Sequence, residues 1–316
     1  MEQAQQVILH DPVAENGKPG TGKATITIVI PTINEPAIDK VIRDACQSLK
    51  DYDFEIVVVD KSTDDTPLKA GKAGARVIVQ KDTGYGSAYL LGFRSASPES
   101  DIIVMIDGDD TYDPFDIPLL IDPILNGNAD MVLGNRFSHM EQGAMTARNR
   151  FGNRVITVAI NVLFRLRLKD SQTGLRALRA SALDRLEFIS DGMPFASEMI
   201  IDAHKKSLNI AEVPVSYRRR IGEAKMKAYR DGSLIAGLVI RKAQERNPLA
   251  IFLPLGLLMM LGGVVLWVIV LQEWLTTGTI NRLASAAGGT MLFLAGLQVI
   301  ILGVLAGILV SIYARR

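Results

Sequence analysis

DIIVMIDGDD, residues 101–110, opens as an unbroken apolar run and closes with three carboxylates around one glycine. A strand with one wet face alternates apolar and polar residues. A run without alternation reads as a strand covered on both faces, the habit of parallel sheets flanked by helices. Four more runs share this character: TITIVIP (25–31), FEIVVVD (54–60), ARVIVQ (75–80) and ADMVLGNRF (129–137). Helical patterns fall between them, over about 36–49, just after STDDTP, over about 85–96 and over about 114–125. The alternation predicts an α/β fold with a mostly parallel sheet, the last of the five runs closing the series.

In such sheets ligands bind at the carboxyl ends of the strands. The first run ends at Glu35, the second at Asp60, Asp64 and Asp65, the fourth at Asp107, Asp109 and Asp110, and the fifth at Arg136. One aspartate at a strand end is an ordinary turn residue. Clustered carboxylates at several strand ends call for more. Asp107 and Asp109 flank Gly108, so the backbone can turn sharply and aim both at one hard cation. Such a cation would neutralise a diphosphate.

Composition narrows the classes. The chain has 316 residues, 48% hydrophobic, with mean hydropathy +0.20 and net charge +1, so no global field points to nucleic acid. Cys46 is the sole cysteine, which excludes an intramolecular disulfide framework or a cysteine-based zinc cluster. His10, His139 and His204 show no metal-ligand spacing. GKPGTGKAT (17–25) approaches a phosphate-binding loop, but Ala24 replaces the hydroxyl residue and a strand follows where a helix should. It reads as a lead-in to the first strand.

Two uncharged stretches, about 249–271 and 287–313, are long enough to span a hydrocarbon core. Arg241, Lys242 and Arg246 precede the first, and Arg315 and Arg316 follow the second, which predicts both ends in the cytoplasm. No basic-then-apolar leader opens the sequence, so the large domain is expected in the cytoplasm. Trp267 and Trp274 are expected near the outer interface. Gly303 and Gly307 form a small-xxx-small pair, open to packing within the hairpin or to self-association into a homo-oligomer.

The ordered set IPTINE, VVVDKSTDDT, GYGSA, MIDGDDTYDP and DSQTGLRAL, from about Thr25 to about Arg230, resembles family 2 glycosyltransferases. It is most similar to the polyprenyl-phosphate branch, the dolichol-phosphate mannose and glucose synthases. The resemblance implies a GT-A catalytic domain, a nucleotide-sugar donor (UDP-glucose or GDP-mannose), Mg2+ or Mn2+, and a polyprenyl phosphate acceptor at the cytoplasmic membrane face. Carried over by position, Pro31, Glu35 and Asp60 would meet the base or ribose, and Asp107 and Asp109 the diphosphate and metal. Arg136 would meet a phosphate, and Asp170 and Gln172 belong to the acceptor-side motif, with Asp170 a candidate base or orienter. Glu198 lies where the branch also has an acid.

Departures are Lys61 after Asp60, the additional carboxylate Asp110, and RIGEAK (220–225), where Ala224 stands for a serine. In the basic stretch 216–232, Arg220 and Lys225 are expected at the lipid phosphate, and Arg218, Arg219 and Lys227 at the surface. The expected organisation is a lead-in over 1–23, a GT-A domain over 24–230, an interfacial amphipathic helix over 231–248 and two transmembrane helices within 249–316. A further amphipathic helix is expected over 151–170, covering the sheet or lying at the membrane interface. A processive polysaccharide synthase would need a tryptophan-bearing motif after Gln172, where the chain reads TGLRA. A non-catalytic nucleotide-sugar sensor would have no need to keep like charges together.

Overall fold

The computed structural model describes residues 24–222 and 228–313. The elements run β1 (Thr25–Thr32), α1 (Ile38–Ser48), β2 (Asp53–Asp60), α2 (Thr66–Lys72), β3 (Arg76–Val79), α3 (Tyr85–Ser95), β4 (Ile102–Met105), α4 (Ile117–Leu125), β5 (Met131–Met140), α5 (Ala147–Phe164), β6 (Arg176–Arg179), α6 (Ala180–Leu183), α7 (Phe195–Lys205), β7 (Ile210–Tyr217), α8 (Ala228–Arg246), α9 (Leu249–Thr277) and α10 (Leu283–Tyr313). The chain divides into two compact units, Met1–Ala236 and Gly237–Arg316.

The first unit holds a seven-stranded sheet in the order β3-β2-β1-β4-β6-β5-β7. β1 pairs in parallel with β2 and β4, β2 with β3, and β5 with β7. Among the described strands only β6 is reversed, antiparallel to both β4 and β5. The apolar runs behave as their lack of alternation demands: Ile28, Val29 and Ile30 of β1 and Val57, Val58 and Val59 of β2 are wholly buried. Ile38, Val41, Ile42 and Ala45 of α1 join the same core as alternate residues of β1. Each such aliphatic side chain contributes about 1.5–3 kcal/mol of transfer free energy.

The sheet does not close at β5. β6 is four residues with an arginine at each end, and its core register is set by pairing with β4 and β5 rather than by periodicity. β7 carries Glu212 and Pro214, and lies at the sheet edge, where proline is tolerated. The reversed β6 has a functional consequence. Its first residue lies at the end of the sheet where the parallel strands finish, so the loop before it joins their carboxyl ends.

α5 is earlier and shorter than its amphipathic pattern suggests. Thr146 caps it, accepting the Asn149 N–H at 3.2 Å, and Arg165 ends it in the left-handed conformation (φ 57°). Asn161 then pins the exit, bonding both the N–H and the carbonyl of Leu168 at 2.9 and 2.8 Å. The apolar residues after 164 therefore belong to a turn, which delivers Asp170 to the sheet edge.

In the second unit, α9 and α10 are each long and apolar enough to cross a membrane, with mean hydropathy 2.5 and 2.6. Glycines seven residues apart let the pair approach closely. A Cβ at Gly256 would stand 2.6 Å from the Gly296 carbonyl, and one at Gly263 2.6 Å from that of Gly289. Gly303 packs on Phe252 within this same hairpin, while among the described residues nothing lies within 4 Å of a Cβ at Gly307. Trp267, itself partly exposed, packs against α10, stacked on Phe293 and donating to Thr290 Oγ1 at 3.2 Å.

Candidate active site

The carboxyl ends of β1 and β2 form one polar corner. Thr32 Oγ1 donates to Asp60 Oδ1 at 2.7 Å. The Ser62 amide and hydroxyl also donate to Asp60, at 3.0 and 2.6 Å, so its carboxylate is buried but well bonded. Pro31 precedes Thr32 in the same register, and the Glu35 N–H donates to Thr66 Oγ1 at 3.0 Å. Asp60 and Glu35 are thus each fixed beyond the strand ends, while Pro31 lies on β1 opposite Val59. Lys61 reaches sideways instead, donating to the Lys81 carbonyl at 2.8 Å and to Thr83 Oγ1 at 2.6 Å.

The turn after β4 separates its three carboxylates. Asp110 adopts a left-handed conformation (φ 60°) and pairs with Lys40 of α1 at 2.7 Å, so this additional acid is spent on a structural ion pair. Asp109, 1% exposed, accepts the Thr111 N–H and Oγ1 at 3.0 and 2.6 Å and pairs through its other oxygen with Arg220. Asp107 accepts from Tyr85 at 3.1 Å and Tyr89 at 3.5 Å. Burial first, and then the negative charge of Asp109, push the Asp107 carboxyl up to about 6.

Arg220 reaches this turn because the strand after α7 returns over it. The Arg218 N–H donates to the Thr111 carbonyl at 2.7 Å and the Ile221 N–H to that of Asp109 at 3.1 Å. Arg218 itself pairs with Asp113, and Arg219 bonds the Gln142 carbonyl at 2.7 Å and pairs with Glu141 at 3.5 Å. Lys225 and Lys227 lie outside the described residues.

On the far side of β4, the loop before β6 carries Asp170 and Gln172. Asp170 is wholly buried and receives Arg136 Nε at 2.7 Å and Nη2 at 2.8 Å, a bidentate pair. Burial works against the Arg136 charge, but Asp170 outweighs it and holds the guanidinium firmly protonated. Removing one partner leaves the other charge buried alone. Arg136→Ala is therefore expected to cost about 3–5 kcal/mol of stability, read as a lowered unfolding midpoint, with Asp170→Ala similar. Gln172 bonds Ser171 and Ser197 at 2.8 and 2.9 Å. Glu198 accepts the Ile189 and Ser190 N–H groups at 3.1 and 2.8 Å, fixing the loop before α7.

A family model, glycosyl transferase family 2, matches residues 27–187, from β1 past the acidic turn to the end of the Asp170 loop and its strand. The chain belongs to glycosyl transferase family 2.

Among the relatives of this glycosyltransferase in Haloferax volcanii are the low-salt glycan biosynthesis hexosyltransferase Agl6, 34% identical across 88% of this chain and 67% of the relative, and the glycosyltransferase AglJ, 31% identical across 92% and 95%. A dolichyl-phosphate hexose transferase of the same organism is 34% identical across 70% of this chain and 95% of its own. The fold matches that of glucosyl-3-phosphoglycerate synthase from Mycobacterium tuberculosis, solved with Mn2+, UDP and phosphoglyceric acid (TM-score 0.57, 23% identity, 70% of this chain and 79% of that one). The sheet thus has a GT-A fold.

The candidate site also contains residues that its strand ends did not disclose. Arg176 of β6 is wholly buried and donates to the carbonyls of Thr173, Ala196 and Ser171 at 2.9, 2.6 and 3.1 Å. Burial pulls its pKa down, and its three carbonyl partners knit the 171–175 loop to α7. The signal was present in TGLRAL, since an arginine inside a strand-like run must find acceptors.

For a divalent cation, the donor set fits in kind. Asp107 and Asp109 offer hard oxygen donors, and Arg220 already answers Asp109 with the positive charge an ion would supply. Among the described residues no third His, Cys, Asp or Glu joins them, so water or a bound diphosphate would complete the shell.

Proposed function

We propose that this glycosyltransferase moves a hexose from a nucleotide-sugar to a polyprenyl phosphate at the cytoplasmic face of a membrane, with inversion at the anomeric carbon. The observation that carries the proposal is the convergence of the Asp107/Asp109 pair with Arg220 at one sheet edge, beside the buried Arg136–Asp170 pair. An acidic pair suits a metal-bridged diphosphate, and arginines suit phosphates. The relative named dolichyl-phosphate hexose transferase, and the two apolar helices, support a lipid phosphate acceptor. The likeness to a synthase solved with UDP-glucose and Mn2+ supports a UDP-sugar and a divalent ion, with UDP-glucose the favoured donor and GDP-mannose the alternative.

Pro31, Glu35 and Asp60 would receive the base and ribose. Asp107 and Asp109 would hold Mg2+ or Mn2+, which when bound neutralises the departing diphosphate. The acceptor phosphate is already an anion, so its oxygen can form the new bond to the anomeric carbon while the bond to the nucleoside diphosphate breaks. No proton need be removed. We therefore assign Asp170 to orienting Arg136 rather than to acting as a base, and Arg136, Arg220 and Lys225 to the charge around the acceptor phosphate. Gln172 would stand at the donor sugar side of the acceptor loop.

α5 supports meeting the acceptor at bilayer height. Phe151, Val155, Val158 and Val162 are exposed in a stripe at helical spacing. α5 and the segments flanking it, residues 143–169, carry five arginines and one lysine and no acid, a composition suited to an anionic membrane surface. We further propose 231–248 as a second interfacial segment and both spans as membrane-crossing.

The test is direct. Membranes containing the full chain, given Mn2+ or Mg2+, polyprenyl phosphate and labelled nucleotide-sugars singly, are expected to yield one organic-extractable sugar-lipid. Labelled polymer would establish a processive synthase, and donor binding without turnover a sensor.

A further inference from the structure

The GYGSAY segment (84–89) is not used by the mechanism above, yet the structure builds it against Asp107. Tyr85 and Tyr89 stand one turn apart on α3, with their rings edge-to-face at 4.9 Å and 76°. Both hydroxyls reach the same oxygen, Asp107 Oδ1, at 3.1 and 3.5 Å. The other oxygen is fenced by backbone: a Cβ at Gly174 would lie 2.3 Å from Asp107 Oδ2. The carboxylate is thus gripped from both sides.

The grip is itself supported. Gly84 and Gly86 flank Tyr85, and a Cβ at either would stand 2.2 Å from the Asp191 carbonyl or 2.7 Å from that of Ser190. Only glycines permit this approach, and the Ser87 N–H completes it by donating to Asp191 at 2.9 Å. The Ser190 amide is bonded by Glu198. Tyr89 lies parallel to Phe195, with ring centroids 6.1 Å apart. Burial drives both phenols well above their ordinary pKa, so they stay protonated donors.

We propose that Tyr85 and Tyr89 are positioning residues that set the Asp107 carboxylate for the donor's divalent cation and diphosphate, with the Glu198-held loop at 189–191 as their backstop. This rests on the function proposed above. Two adjacent carboxylates repel each other, and without such a clamp Asp107 would swing away from Asp109 unless a cation were already bound. The phenols supply that orientation in advance, as partners of metal ligands do.

The test uses the full chain in detergent or nanodiscs, with Mn2+ binding followed by electron paramagnetic resonance in the presence of UDP or GDP. The variants are Tyr85→Phe, Tyr89→Phe, the double substitution and, as reference, Asp107→Asn. Phenylalanine keeps the ring packing, so the unfolding midpoint verifies that each variant is folded. The double variant is expected to bind Mn2+ about 10- to 100-fold more weakly, with the donor KM raised and the acceptor KM unchanged. A folded double variant with wild-type Mn2+ affinity, beside an Asp107→Asn variant that has lost it, overturns the positioning role alone. Wild-type affinity in Asp107→Asn overturns the site assignment on which it rests.

Discussion

Asp109→Ala is expected to reduce sugar-lipid formation by at least about a hundred- to a thousandfold, the scale of removing one preorganised group that stabilises developing charge. The effect follows from where Asp109 stands. It is 1% exposed at the tip of β4, held by Thr111 on one oxygen and by Arg220 on the other. Alanine would leave the buried Thr111 donors without their acceptor, at about 1–3 kcal/mol for each group that stays buried. Asp109→Asn separates the two consequences. Its Oδ1 can still accept from Thr111, so the protein should fold and insert as the wild type does, yet it lacks the anionic oxygen. Both variants are assayed in membranes beside their unfolding midpoints. Wild-type turnover in either folded variant would sink the metal-site assignment.

Asp107→Asn is expected to abolish donor binding and yet stabilise the ligand-free protein. Burial and Asp109 raise the Asp107 pKa from 3.8 to about 6, so its charged form is disfavoured in the fold. Between those values the folded state binds a proton that the unfolded chain does not. Stability therefore falls as pH rises through this window, and the full cost is present at pH 7. Asparagine removes it, for a gain on the order of 1–3 kcal/mol at pH 7, since one pKa unit is about 1.4 kcal/mol. The gain should vanish at pH 4. Adding Mn2+ and nucleoside diphosphate reverses the order, because only the wild type gains stability from a bound ligand. An unfolding midpoint for Asp107→Asn below that of the wild type at pH 7, without ligand, contradicts this electrostatic account. The pairing of lost function with gained stability marks a site that holds like charges together for a cation.

The carboxylates at the sheet edge were legible because parallel strands deliver their last residues to one edge, and unbroken apolar runs mark such strands. Asp60, Asp107 and Asp109 needed only that rule. What each carboxylate does there was not legible. Asp110 stands beside Asp109 in the sequence, and its ion-pair partner Lys40 comes from α1. That pairing spans 70 residues and leaves no local pattern. The partner of Asp170 was hidden in the same way: Arg136, which bonds both its oxygens, lies 34 residues away. β6 stayed hidden because two of its four residues are arginines, and Arg176 is tolerated only because loop carbonyls from 171, 173 and 196 close around it. The α5 boundary slipped for a related reason: an apolar pattern survives the turn at Arg165, since Leu168 is buried by the turn and not by the helix. Periodicity reports burial, and the backbone that achieves it is settled elsewhere. The small-residue pair Gly303 and Gly307 illustrates the same limit, because only the packed hairpin shows that Gly303 lies against Phe252.

The central claim is transfer of a hexose to a lipid phosphate, and the most direct measurement is the product itself. Membranes carrying the full chain are incubated with polyprenyl phosphate, a divalent cation and each labelled nucleotide-sugar in turn, then extracted with organic solvent. The account predicts label in the organic phase from one donor, lost on chelation of the cation, and with the anomeric configuration inverted relative to that donor. No organic-soluble label from any nucleotide-sugar, with the protein folded and the cation present, would contradict it.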